Sequence, residues 1–120
     1  LTGKREESAQ LAALHDLGGR VIALRRGSRG CVTSDGSRCW WATPPAGVEV
    51  VDVTGAGNAF SGALIAAWRS NGGDAKAATL AAMAASAVTL TQVGPPADRA
   101  TARKRWQNYL ERIEVTEQEW

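Results

Sequence analysis

Val50 to Leu64 reads VVDVTGAGNAFSGAL, and it holds the residue types in this chain best suited to chemistry. An apolar run with Val48, Val50, Val51 and Val53 leads into Thr54-Gly55-Ala56-Gly57, and small residues at helical spacing follow at once. A strand, a glycine turn and a helix start together make a place for an anionic phosphate group. Backbone N–H groups point outward there, and the helix dipole adds partial positive charge. Asn58 stands at the helix mouth, an amide where a carboxylate would be chemically useful. Two generic phosphate motifs fail: GxxxxGK[ST] lacks its lysine after the Gly55–Gly57 turn, and GxGxxG meets Phe60 at its third glycine. Taken alone, Gly55-Ala56-Gly57 also fits a tight strand-to-helix connection that needs glycine backbone freedom.

The elements around this turn follow from apolar spacing and punctuation. Glu6 to Leu17 carries Leu11, Ala12, Leu14 and Leu17 on a helical face closed by Gly18-Gly19. Val21 to Leu24 predicts a buried strand, punctuated by Gly27 and Gly30. Cys31 to Ser34 and Ser37 to Ala42 flank Asp35-Gly36 and predict a β-hairpin. After the connector Thr43 to Gly47, Val48 to Val53 predicts another strand and Gly57 to Ser70 a helix ended by Asn71-Gly72-Gly73. Asp74 is placed to cap a helix over Ala75 to Thr91, which is rich in alanine and suited to close packing. Val93-Gly94-Pro95-Pro96 stops it. Thr101 to Ile113 predicts a further amphipathic helix with Trp106, Tyr109, Leu110 and Ile113 on one side. Strands alternating with helices indicate an α/β layered domain. The strands are too few for a complete doubly wound sheet, so the chain reads as one edge or half of a larger one.

Bulk properties narrow the partners. The chain has 120 residues, 44% of them hydrophobic, and a formal net charge of +2. Its arginines are scattered, with Arg25, Arg26, Arg29 and Arg38 around the hairpin and Arg99, Arg103 and Arg105 near the end. No aromatic stripe interleaves with them, so nucleic acid is not an expected partner. No apolar run approaches the roughly 20 residues that span a bilayer, and no secretory leader is visible, which gives a cytoplasmic expectation. Cys31 and Cys39 face each other across a three-residue hairpin loop, but fall on opposite faces across a two-residue loop. The lone histidine, His15, is expected to be structural or at the surface. The tryptophans suit core and rim packing, with Trp40-Trp41 as an alternative exposed partner patch.

The string Asp52-Val53-Thr54-Gly55-Ala56-Gly57-Asn58-Ala59-Phe60-Ser61-Gly62-Ala63 resembles the C-terminal signature of the ribokinase-like (PfkB) carbohydrate kinases, D-T-T-G-A-G-D-x-F-x-G in its common form. The important departure is Asn58, where the family has Asp. The flanks resemble the family in order. Leu1-Thr2-Gly3 is similar to its "ELLTG" segment, and Val21 to Leu24 with Gly27 to Gly30 to its strand and T-x-G-x-x-G turn. Ala78 to Val88 is similar to the alanine-rich helix beside the adenine, and Gly94-Pro95 to the "GA" that follows. The resemblance covers nearly the whole chain. It implies the C-terminal part of a ribokinase-like α/β/α sandwich, with residues 1–120 as a fragment carrying an incomplete sheet plus a β-hairpin.

The resemblance also implies ATP-dependent phosphoryl transfer to the hydroxyl of a sugar or sugar-like substrate, with Mg2+ and a monovalent cation such as K+. Gly55, Ala56 and Gly57 would form the anion hole around the transferred γ-phosphate, which stabilises developing charge. Asp52 and the Thr54 carbonyl would help to hold the monovalent cation, although Asp52 also suits capping its own turn. Gly27, Gly57, Asn58, Ala82, Met83 and Ser86 would border the nucleotide, with plain helix packing as the alternative for Ala82 to Ser86. Met83 stands where some relatives carry Asn. Arg25-Arg26 replace the usual Thr-Leu and suit either nucleotide phosphates or a solvated surface. The remainder of a kinase domain would be needed to complete the sugar site.

Asn58 divides the functional reading. The family's Asp takes a proton from the attacking hydroxyl, whereas an amide hydrogen-bonds but is no base at neutral pH. Losing a general base costs about 10²–10⁴ in rate. Asn also suits a helix cap, so the local fold need not suffer. An impaired kinase and a pseudokinase that keeps the phosphate cradle as a regulatory binding module are the two readings. A structural fragment without ligand is the third.

Overall fold

The structure is a computed structural model and describes residues 2–92 and 98–119. Helix α1 spans Thr2–Asp16, strand β1 Ile22–Arg25, β2 Cys31–Ser34 and β3 Arg38–Thr43. Helices α2 (Ala56–Ser70), α3 (Ala75–Leu90) and α4 (Arg99–Arg112) follow, and β4 (Glu114–Glu119) ends the described chain. The strands form one antiparallel sheet in the order β1-β2-β3-β4.

Side chains alternate across a strand, so the register assigns every residue to a face. The pairs Ala23↔Thr33 and Cys31↔Ala42, with Ala42↔Val115, put Ala23, Arg25, Cys31, Ala42 and Val115 on one face. That face packs on α2, α3 and α4 through Phe60, Ala84, Ala87, Val88 and Tyr109. The other face carries Ile22, Leu24, Val32, Cys39 and Trp41, and buries Leu11. His15 of α1 lies 2.9 Å from the Ser34 hydroxyl on that side, and its Nδ1 lies 2.7 Å from the Gly19 carbonyl oxygen. A carbonyl only accepts, so Nδ1 donates to Gly19. The result is helix, sheet and helices in layers, which agrees with the expected α/β/α fragment.

The hairpin closes with a two-residue loop, since Ser34 pairs with Cys39 and the Asp35 amide donates to the Arg38 carbonyl. Cys31 and Cys39 therefore lie on opposite faces as free, buried thiols. Burial pushes the Cys31 thiol up to about 11. Alanines let α3 lie close to its neighbours: Ala78, Ala82 and Ala84 are fully buried. The Asp74 carboxylate caps α3 by accepting from the Ala77 amide at 3.0 Å. Trp106 Nε1 donates to the Ala81 carbonyl at 3.2 Å and fastens α4 to α3.

Two expectations are corrected, one strand is unforeseen in the sequence, and one alternative is excluded. Val48 to Val53 is not a strand: no strand among the described residues lies beside it, and Val50, Val51 and Val53 are 58%, 54% and 70% exposed. Its apolar run signals burial, but strand formation needs a neighbour to pair with. Conversely, β4 is a strand despite its polar sequence, EVTEQE. It pairs with β3 along its length, and Glu117 accepts from Trp40 Nε1 at 2.9 Å and from Arg38 at 2.6 Å. Trp40 and Trp41 are buried on opposite faces, Trp41 in the cluster with Leu11, and form no exposed patch. Of the apolar stripe predicted on the first helix, Leu11 reaches the sheet, whereas Leu14 and Leu17 stay exposed and the helix ends at Asp16. The Val93 to Pro96 stop, including Gly94-Pro95, and Leu1 lie outside the described residues.

Gly30 is a place where one atom decides the fold. Its φ is +96°, and a Cβ there would overlap the Ala42 carbonyl oxygen across the β2–β3 edge. Gly30→Ala is expected to destabilise the chain by at least the roughly 1–3 kcal/mol of a forced backbone conformation. A urea denaturation midpoint checks this.

Candidate functional site

The turn before α2 is assembled from backbone groups. The amides of Val51 and Asp52 both donate to the Leu90 carbonyl at the end of α3, at 2.7 and 3.2 Å. Asp52 Oδ1 then accepts from the Thr54 amide at 2.9 Å, which tightens the bend. This hydrogen bond holds the exposed Asp52 carboxyl below its ordinary value. Gly55 adopts φ +82°, a left-handed conformation that glycine supplies without strain, and serves as N-cap of α2 with no side-chain cap. The first α-helical bond runs from the Ala59 amide to the Gly55 carbonyl. The amides of Gly57 and Asn58 precede that ladder, at the positive end of the helix dipole.

This helix start opens onto a cleft of about 870 Å³ between β1, the connector after β3, and helices α2 and α3. Its size falls in the range of small-molecule sites. Gly27, Ala56, Gly57, Met83 and Ser86 all line it. Residues separated by nearly sixty positions in the chain, and expected to border one nucleotide, thus share one cavity. Ala82 is fully buried in the core and does not line the cleft. Asn58 is exposed in the first turn of α2, outside the cleft lining, and its side chain has no hydrogen-bond partner among the described residues. Gly55, not Asn58, caps the helix. Asp52 and Thr54 sit together in the turn, with Asp52 engaged by the Thr54 amide.

The two adjacent arginines part company because they follow strand alternation. Arg26 turns to the α1 side, where its guanidinium lies 5.0 Å over the Trp41 ring and 3.6 Å from the Glu7 carboxylate. Arg25 turns to the cleft side, with its guanidinium 5.8 Å from the Phe60 ring centroid and against Gly57. A Cβ at Gly57 would collide with it. Sequence reasoning left Arg25 and Arg26 as one pair. The signal that separates them is the period of two, counted from Ala23 and Leu24. Phe60, read only as a motif position, is buried and lines the cleft floor.

The chain belongs to the pfkB family of carbohydrate kinases, whose profile matches residues 1–101. It is 35% identical to the cytidine kinase of Thermococcus kodakarensis over 69 residues, which are 57% of this chain and 25% of that protein. Its fold is similar to that of a protein assigned as a sugar kinase from Clostridium perfringens, with a TM-score of 0.80 and 20% identity over 97% of this chain and 36% of that one. It is also similar to a protein assigned as a phosphofructokinase from Staphylococcus aureus, with a TM-score of 0.77 and 18% identity over 90% and 33% of the respective chains. The chain therefore spans between a quarter and about a third of the length of these relatives.

The Asp52 turn makes a pH-dependent prediction. A carboxyl held below its ordinary value stabilises the fold above its unfolded pKa, and that gain is lost as pH falls through the folded value. Asp52→Ala is expected to lower the thermal midpoint at neutral pH. The difference from the native chain should shrink once pH falls below the ordinary value of 3.8. Melting curves of both proteins from pH 7 downward check this.

Proposed function

We propose that this chain forms the nucleotide and phosphate-binding side of a kinase that transfers the γ-phosphoryl group of ATP to a hydroxyl of a sugar or nucleoside. The observation that carries this reading is the single cleft joining Gly27, Gly57, Met83 and Ser86 to the open N-terminus of α2. In this reading the adenine side lies along Met83 and Ser86, and the phosphates run past Gly27 toward Gly55, Ala56 and Gly57. The amides of Gly57 and Asn58, which precede the helical ladder, hold the transferred phosphate and stabilise charge that spreads onto its oxygens, whereas the Ala56 amide donates to the Val53 carbonyl at 3.3 Å.

ATP supplies the phosphoryl group, and Mg2+ bound to its phosphates neutralises their charge. Helix α2 has no acidic residue in its first turn, and no group of three or more His, Cys, Asp or Glu converges among the described residues. Phosphate oxygens and water would therefore make most of the Mg2+ shell, an arrangement Mg2+ accepts. Asp52 and the Thr54 carbonyl are the candidates for a monovalent cation beside the turn. Asn58 would hydrogen-bond the attacking hydroxyl and orient it, without taking its proton. Phosphoryl transfer depends mainly on positioning and electrostatics, so this arrangement supports a slow kinase. The exposed, unengaged Asn58 amide also supports a second reading, a pseudokinase that binds nucleotide for regulation.

The test uses the natural full-length protein with Asn58 and with Asn58→Asp, assayed with ATP on a panel of sugars and nucleosides that includes cytidine. Restoring the carboxylate is expected to raise turnover by about 10²–10⁴. Substantial turnover with Asn58 that Asp does not raise would show that the proton leaves by another route. ATP binding without turnover in either form would establish the regulatory reading, and failure of both to bind ATP would overturn the nucleotide site. Residues 1–120 alone are expected to give no acceptor-dependent ATP turnover in the same assay.

A further inference from the structure

We propose that Arg25 is a phosphate-binding side chain of the cleft, presenting its guanidinium to the terminal phosphate of the bound nucleotide at the start of α2. The proposal rests on the cleft being a nucleotide site, and it adds a side-chain cation to a cradle otherwise made of backbone.

The placement follows from the sheet. Arg25 is the last residue of β1 and pairs with Cys31, so it shares the face that packs on α2. Its side chain crosses the cleft wall and comes against Gly57, with Cζ 3.3 Å from where a Cβ would stand. The Phe60 ring, one helical turn further on, supports the guanidinium at 5.8 Å. Gly57 thus has a reason to be glycine beyond the turn itself: any side chain would displace the arginine.

The electrostatics point to an anion. Arg26 and Arg29 each face Glu7, and Arg38 pairs with Glu117. Among the described residues Arg25 has no carboxylate within ion-pair distance, and the first turn of α2 contains none. A guanidinium and a helix N-terminus, both positive, therefore converge on one spot, and among the described residues no carboxylate makes an ion pair with Arg25; the nearby Asp52 carboxylate is turned to the Thr54 amide. A phosphate there relieves that repulsion. It also takes hydrogen bonds from two directions, the planar guanidinium fork on one side and the Gly57 and Asn58 amides on the other. The contact is made only by a nucleotide whose phosphate chain reaches α2, so it separates the triphosphate from the nucleoside.

The test is calorimetric binding of a non-hydrolysable ATP analogue and of adenosine to the natural full-length protein, compared with Arg25→Ala and Arg25→Lys. Arg25→Ala is expected to weaken the ATP analogue by about tenfold or more, as losing a charge-assisted hydrogen bond does, and to leave adenosine unchanged. Arg25→Lys, which keeps the charge without the fork, should fall between. Unchanged affinity for the ATP analogue would overturn the proposal. So would an equal loss for adenosine and the ATP analogue, because that marks a general structural effect. If the native protein binds neither ligand, the nucleotide reading fails and the role of Arg25 fails with it. If the native protein binds both and Arg25→Ala matches it, only the role of Arg25 fails. Arg25 is exposed, so thermal midpoints of the variants without ligand should match the native protein.

Discussion

One carbonyl oxygen holds the working part of this molecule in place. The last turn of a helix leaves carbonyl groups without intrahelical partners, and at the end of α3 the Leu90 carbonyl takes two amides at once, from Val51 and Asp52. The segment they belong to has no strand neighbour among the described residues, so these bonds supply its backbone order. Everything downstream inherits that fixed point. Asp52 folds back on Thr54, Gly55 turns left-handed, and α2 starts with Ala56 and Gly57 at the cleft. The C-terminus of one helix therefore sets the N-terminus of the next. Small alanines on α3 bring it close enough to the sheet and to α2 for the geometry to hold.

The sheet contributes through parity. Strand alternation sends each consecutive pair of residues to opposite layers, and the hairpin register converts that into chemistry. Arg26 and Arg25 become a half-buried, ion-paired cation and an exposed cation at the cleft. Cys31 and Cys39 become two separate thiols on two sides of the sheet. Nothing in residue type distinguishes the members of either pair. What distinguishes them is whether an odd or an even number of steps separates them from a buried neighbour.

Much of this was legible in the sequence, and the misses have physical causes. Asp74 ahead of an alanine run was a sufficient sign of a capped helix, because the cap and the propensity are both local. The hairpin around Asp35-Gly36 was legible for the same reason. The glycine turn was legible as a turn, and its link to Gly27, Met83 and Ser86 came from the family resemblance and not from spacing. The strand over Val48 to Val53 was misread because an apolar run reports a preference for burial, whereas a strand is a relation between two segments. The mirror-image miss is β4, whose charged sequence hides a strand that exists through its pairing with β3 and the Glu117 bonds to Trp40 and Arg38. The burial of Trp40 and Trp41 agrees with the core-packing reading of the tryptophans, Trp41 lying with Leu11 on the α1 face.

Asn58 separates two tasks that a carboxylate at that position would combine. In the site we propose, holding the phosphate would fall to backbone amides, the helix dipole and Arg25, and none of these depends on the side chain at 58. Taking the proton is the task that a carboxylate there would perform and an amide does not. Replacing an acid by its amide therefore leaves the cradle intact and removes one negative charge from a spot where two positive groups already converge. By Coulomb's law the change favours retention of an anion while it disfavours the chemical step. In the proposed site, an amide at 58 is therefore expected to leave nucleotide affinity intact and to slow turnover. That physical direction connects the slow-kinase and regulatory readings: they are two points along one trade between holding a phosphate and transferring it.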